Sequence, residues 1–226
     1  MTETYEQQPF DPGPFIENPG QRCPCLLLLD VSSSMTGNPI QELNAGLALL
    51  KDELSADPLA SKRVQIAVVT FGPVETVTDF VDAGQWDAPV LTPKGNTPMG
   101  AAIEHGLQMI ESQKAIYKSN GIPHYRPWVF LITDGGPTDA WKQAALLVHQ
   151  GEANKKFKFF AVGVENANFD ILKQISVAEP IALRGLRFRD LFAWLSSSLS
   201  AVSQSNPGDE VKLANPVAPN GWGSVA

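Results

Sequence analysis

The chain has 226 residues, 43% of them hydrophobic, enough for one large globular domain. Its 17 Lys and Arg against 24 Asp and Glu leave a formal net charge of -7, which argues against nucleic acid as the main partner, because phosphate binding needs a basic face. The opening stretch MTETYEQQPF has neither a basic region nor an apolar core of signal-peptide length, and no later segment approaches a transmembrane span, so a cytoplasmic location and no membrane partner are expected.

Residues 1–22 are proline-rich and aperiodic, and read as an extended N-terminal arm. Cys23 and Cys25 are the only cysteines. Two apart around a proline, they cannot staple a fold, and they read as small buried thiols in a reducing compartment rather than as zinc ligands. Cys25–Leu29 is an apolar run expected to form a strand buried on both faces. Asn38-Pro39 starts a helix, with Ile40, Leu43, Leu47, Leu50 and Leu54 at helical spacing. Val64–Phe71 is a second buried strand. Gly72-Pro73 turns the chain so tightly into Thr76–Val81 that this third strand must run antiparallel, at the sheet edge.

The polar loop LTPKGNTPMG precedes a helix from about Met99 to Lys118. Trp128–Thr133 is another apolar strand, followed by a helix from about Ala140 to Glu152 and a strand over 157–164. A short helix (Phe169–Ile175), a weak strand (Ile181–Leu183) and a helix over Phe188–Val202 complete the pattern. The apolar stripe Leu191, Leu195, Leu199 and Val202 marks that helix as part of the core. Residues 204–226 read as a flexible polar tail with one tryptophan, Trp222. Strands alternating with helices predict an α/β fold: a three-layer, doubly wound, mostly parallel sheet with one antiparallel edge strand, over residues 23–203.

Three strand exits carry the same chemistry. Asp30, Ser32 and Ser34 follow the first strand, two residues apart, so an extended backbone would turn all three to one side. Thr97 lies in a Gly-Asn-Thr-Pro loop, and Asp134 ends the strand in ITDGGPTD. In a doubly wound sheet such exits converge on one edge. Two carboxylates and three hydroxyls suit a hard cation. Magnesium fits, with six oxygens at about 2.0–2.1 Å and a tendency to keep water, which leaves a position for an outside oxygen. Thr138 and Asp139 are expected only to cap the helix that follows them. His105, His124 and His149 have no ligand cluster around them and read as surface or packing residues. Trp141 is either a rim for a partner or a packing residue. Lys62-Arg63 and Lys155-Lys156 read as solvated turns.

The Asp-x-Ser-x-Ser stretch, the distant Thr97 and the distant Asp134 resemble the metal-ion-dependent adhesion site of von Willebrand factor A domains. That resemblance implies a Rossmann-like fold, bound Mg2+ (with Mn2+ or Ca2+ as alternatives) held by Asp30, Ser32, Ser34, Thr97 and Asp134, and a partner's Asp or Glu completing the shell. The stretches LLLLDVSSSMTGNPIQELNAGLALLKDEL, NTPMGAAI and LITDGGPTDAW look like a narrower, TerY-like bacterial branch found with tellurite-resistance and stress genes. Members are cytoplasmic and linked to a protein kinase and a PP2C-type, metal-dependent phosphatase. Some carry a C-terminal zinc ribbon, for which this chain has no cysteines after Cys25. The expectation is a non-enzymatic interaction module. The alternative is a magnesium-dependent hydrolase or phosphotransferase using Asp30 as nucleophile. It is weakened by Ser32 standing where families resembling haloacid dehalogenases have a second acid, and by Lys94 being the only lysine near a site loop. Neither a G-x-S-x-G elbow nor a phosphate-binding loop of the G-x-x-x-x-G-K-[ST] type occurs.

Overall fold

Four all-apolar strand cores build the centre of the molecule. The computed structural model describes residues 20–225, and in it β1 (Cys23–Asp30), β2 (Val64–Phe71), β4 (Trp128–Thr133) and β5 (Lys158–Val164) lie side by side. With β3 (Val74–Asp82), β6 (Ile181–Leu183) and β7 (Gly223–Val225) they form one sheet in the order β3-β2-β1-β4-β5-β6-β7. All pairs are parallel except β2–β3 and β6–β7. The antiparallel edge strand β3 is the one its two-residue link demanded.

Side-chain alternation along β1 divides the core into two layers. Leu27 and Leu29 face one layer, with α1 (Asn38–Ala56) and α6 (Phe188–Gln204); Leu26 and Leu28 face the other, with α3 (Met99–Ser119), α4 (Lys142–Ala153) and α5 (Phe169–Ile175). The four leucines have no exposed surface, which explains why the run carries no polar residue. Leu191, Leu195, Leu199 and Val202 lie in the first layer, as their spacing indicated. Helices α1 and α6 cross closely because Gly46 has no side chain: a Cβ there would stand 2.4 Å from the Phe192 ring.

Two local readings change here. Lys62-Arg63 ends a short helix, α2 (Ala60–Arg63), rather than a turn, and the Arg63 guanidinium donates to the Ser203 carbonyl at 2.6 Å. The expected arm over residues 1–22 lies outside the described residues as far as residue 19. Arg22 already belongs to the body, buried and donating its N–H to the Pro123 carbonyl at 2.9 Å.

The largest difference is at the other end. Residues 204–226 were expected to be a flexible tail, yet β7 pairs with β6 and Trp222 is 3% exposed. The segment is laced down by polar contacts. The Trp194 indole N–H donates to the Ala214 carbonyl at 2.7 Å, and Arg184 donates to the Pro219 carbonyl at 2.7 Å. The physical reason is an open sheet edge at β6 beside an aromatic cluster. Trp222 packs against Trp194 with ring centroids 5.7 Å apart, and Trp194 in turn meets Phe130 and Phe160.

Candidate metal centre

The chain runs from β1 to its neighbour β2 on one side, and later adds β4 on the other side of β1. The crevice between the β1 and β4 exits is therefore the topological switch point, where open α/β sheets bind ligands. Leu29 pairs with Ile132, so Asp30 and Thr133 emerge next to each other. Asp30 is fully buried. One carboxylate oxygen, Oδ1, accepts the Ser32 N–H at 2.8 Å, and the other, Oδ2, accepts the Thr133 hydroxyl at 2.5 Å.

Ser32 and Ser34 come together by a different route from the one the spacing suggested. The backbone is extended at Ser32 but not beyond it. Ser33–Met35 forms a 3-10 turn, with the Met35 N–H donating to the Ser32 carbonyl at 3.0 Å. Within that turn the two hydroxyls lie 2.9 Å apart, and Ser34 Oγ donates to Asp134 Oδ1 at 2.8 Å. A neighbouring loop backs the turn. Ser33 donates both its N–H and its hydroxyl to the Gly95 carbonyl at 3.1 and 3.0 Å, and Gly95 holds φ +73°, a conformation that favours glycine.

Thr97 reaches the same edge from the start of α3 and is 6% exposed. A Cβ on Gly135, the residue after Asp134, would stand 3.9 Å from the Thr97 hydroxyl oxygen. Asp30, Ser32, Ser34 and Asp134 thus share one continuous hydrogen-bond chain, and Thr97 borders its Asp134 end.

Burial pushes the Asp30 carboxyl up from its ordinary value, hydrogen bonds from Ser32 and Thr133 pull it down, and the nearby Asp134 charge raises it further. Among the described residues neither acid forms an ion pair with a Lys, Arg or His, and Lys94 points its ammonium at Glu75, 3.0 Å away. The five candidate ligands are therefore two acids and three hydroxyls, with no protein cation paired to them among the described residues. That donor set fits a hard dication. Among the described residues there is no group of three or more His, Cys, Asp or Glu able to hold a metal, so binding would rely on the hydroxyls.

One contributor has no sequence expectation behind it, and two others take a different role from the expected one. Thr133 looked like the last residue of an apolar strand, yet its hydroxyl donates to Asp30 and accepts the Gly135 N–H at 3.2 Å. The signal was a lone hydroxyl immediately before the strand-end acid. Thr138 and Asp139 do not cap the helix after them, whose first turn has no side-chain cap. Asp139 instead accepts from Gly100 and Ala101 at the start of α3, and Thr138 bonds Thr97.

The remaining candidates take ordinary structural places. His105 meets the Thr76 hydroxyl at 2.7 Å, His149 meets the Gln174 carbonyl at 3.1 Å, and His124 packs on Tyr117. Cys23 and Cys25 are free and buried. Trp141 is half-buried, packing against the second core layer and lining a shallow groove with Leu146 and His149.

A family model described as von Willebrand factor type A domain matches residues 26–188, which include all five candidate ligands. Several solved structures share the fold at low identity. The von Willebrand factor domain of the type V pili tip protein Mfa5 from Porphyromonas gingivalis superposes with TM-score 0.58 at 13% identity, covering 85% of this chain and 99% of that one. The pilus adhesin SpaC from Lactobacillus rhamnosus GG gives 0.65 at 11% identity, covering 80% of this chain and 31% of that one. Proximal thread matrix protein 1 from the mussel byssus gives 0.56 at 16% identity over 80% of this chain, which spans 48% of that protein's length. No curated protein matches the chain significantly.

Proposed function

The chain belongs to the von Willebrand factor type A domain family, and from that premise we propose that it is a metal-dependent protein-interaction module that binds an acidic side chain of a partner. The observation that carries this reading is the convergence of Asp30, Ser32, Ser34, Thr97 and Asp134 at the switch point of the sheet, as a low-charge set of oxygens.

In this proposal the five residues hold Mg2+, with Mn2+ or Ca2+ as alternatives. A bound dication supplies an electrophilic position for a carboxylate oxygen from outside. The chain's own groups do the rest. Ser32 N–H and Thr133 hydroxyl fix both oxygens of Asp30, and the Ser33–Met35 turn holds the Ser32 and Ser34 hydroxyls side by side. Asp30 and Asp134 balance a dication without surplus negative charge, so a third carboxylate is attracted, whereas a site of four acids would repel it. Ser34 and Ser33 are exposed and Asp134 is half-buried, leaving a face that a partner can reach.

The hydrolase or phosphotransferase alternative gains little from this geometry. Asp30, its nucleophile, has no exposed surface and both oxygens engaged, and Lys94 is paired with Glu75. Among the described residues no helix is long and apolar enough to cross a membrane. A cytoplasmic role within a TerY-like stress system, beside a protein kinase and a PP2C-type phosphatase, rests on the resemblance of LITDGGPTDAW and its companion stretches and is part of the proposal.

The test is affinity capture from lysate of the native host, with magnesium or with chelator. Partners should elute with chelator and should not be captured by Thr97→Ala. Identical partners under all conditions would place binding on another surface.

A further inference from the structure

We propose that Thr138 and Asp139 are positioning residues of the metal centre: as a pair they clamp the start of α3 to the loop that bears Asp134, and so fix Thr97 relative to that acid. The inference rests on the metal-binding reading above. Four hydrogen bonds make the clamp. Thr97 N–H donates to Thr138 Oγ1 at 3.1 Å, and Thr138 N–H donates back to the Thr97 carbonyl at 2.9 Å. Gly100 and Ala101 N–H donate to the two oxygens of Asp139 at 3.0 and 2.8 Å.

The clamp answers a local deficiency. A helix leaves its first N–H groups without internal partners, and a side chain at the cap position usually accepts one of them. Here that position is Pro98, which cannot do so, and α3 has no local side-chain cap. Asp139, 38 residues further along the chain than Ala101, supplies the missing acceptor as a charged group at the positive end of the helix. The fit is close. A Cβ at Gly100 would stand 2.6 Å from the Ala140 carbonyl oxygen and 2.9 Å from Trp141 Cα, so only glycine lets the helix start abut this loop.

Two candidate ligands far apart in sequence are thereby joined. Asp134 precedes Thr138 by four residues in the β4–α4 loop, and Thr97 is held on both its N–H and its carbonyl by Thr138. Thr133 ties the same loop to Asp30. Removing the Thr138 hydroxyl frees the Thr97 amide without touching any ligand atom.

The experiment measures two quantities on the full chain: the magnesium dissociation constant by isothermal titration calorimetry, and the melting temperature in chelator. Partners of metal ligands typically contribute about 10–100-fold to metal affinity. Thr138→Val should therefore weaken magnesium binding at least about tenfold, and Thr138→Ser should restore it. Asp139→Asn, which keeps an acceptor oxygen, should weaken binding less, and carries the test if Thr138→Val does not fold. A purely structural clip would lower the metal-free melting temperature and leave the dissociation constant unchanged; that result overturns the proposal while the metal centre stands. Absence of magnesium binding by the wild type would instead overturn the metal-binding reading, and this inference with it.

Discussion

Replacing Trp222 by alanine should destabilise the whole domain, although the residue lies four positions from the end of the chain. A buried tryptophan removes up to about 250 Å² from water, and at about 25 cal/mol per Å² this sets an upper figure near 6 kcal/mol. Trp222 is 3% exposed, so nearly all of that burial applies. Measured losses for large aromatic-to-alanine changes in cores are about 3–5 kcal/mol. For a domain of this size that corresponds to a fall in melting temperature of about 6–20 °C. The indole N–H of Trp222 is buried with no partner among the described residues, so Trp222→Phe sheds a desolvated donor and should lose less than half as much. Thermal melts of the three proteins by circular dichroism supply the assay. A Trp222→Ala melt within about 2 °C of wild type would mean that the docked C-terminal segment contributes little to stability.

Two further outcomes are expected. Burial raises the Asp30 pKa, so in the metal-free protein the stability it contributes is full below the ordinary carboxylate value of 3.8 and is lost as pH rises through the folded value. The stability of wild type relative to Asp30→Asn in chelator should therefore decline from acid toward neutral pH; a pH-independent difference in denaturant titrations would contradict this. The Cys23 thiol is pushed up to about 12 by burial, and Cys25 is also raised well above its ordinary value by burial and by Cys23. Neither should react with a thiol reagent at pH 8 until denaturant is added, and prompt labelling of the native protein would show that this end of β1 opens.

The sheet was legible because its chemistry is local. Four leucines without a polar interruption, in a run of strand length that ends at an acid, fit a strand covered on both faces, and the Gly72-Pro73 link left β3 no length for a crossover. The carboxylate and hydroxyls at the strand exits were legible for the same reason: each breaks an otherwise apolar or turn-forming pattern. What escaped depended on partners distant in sequence. Residues 223–225 have no strand signature of their own and become one by pairing with β6, under the anchor of Trp222. Thr138 and Asp139 look like caps for the helix beside them, and nothing local shows that Pro98, 41 residues before Asp139, leaves α3 in need of one. The run expected to stay extended through Ser32 and Ser34 enters a 3-10 turn at Ser33–Met35, where Ser33 donates its N–H and hydroxyl to the carbonyl of Gly95, 62 residues further along.

The central claim, that Asp30, Ser32, Ser34, Thr97 and Asp134 hold a divalent cation, is tested most directly by the melting temperature of the full chain with magnesium and with chelator. A cation that binds only the folded state stabilises by RT ln(1 + [L]/Kd), about 2.7 kcal/mol at a hundredfold excess over Kd, or about 5–11 °C for a domain of this size. Wild type should show that rise and lose it in chelator, and Asp30→Ala should show no response. Superimposable wild-type curves across millimolar magnesium and chelator would contradict the claim.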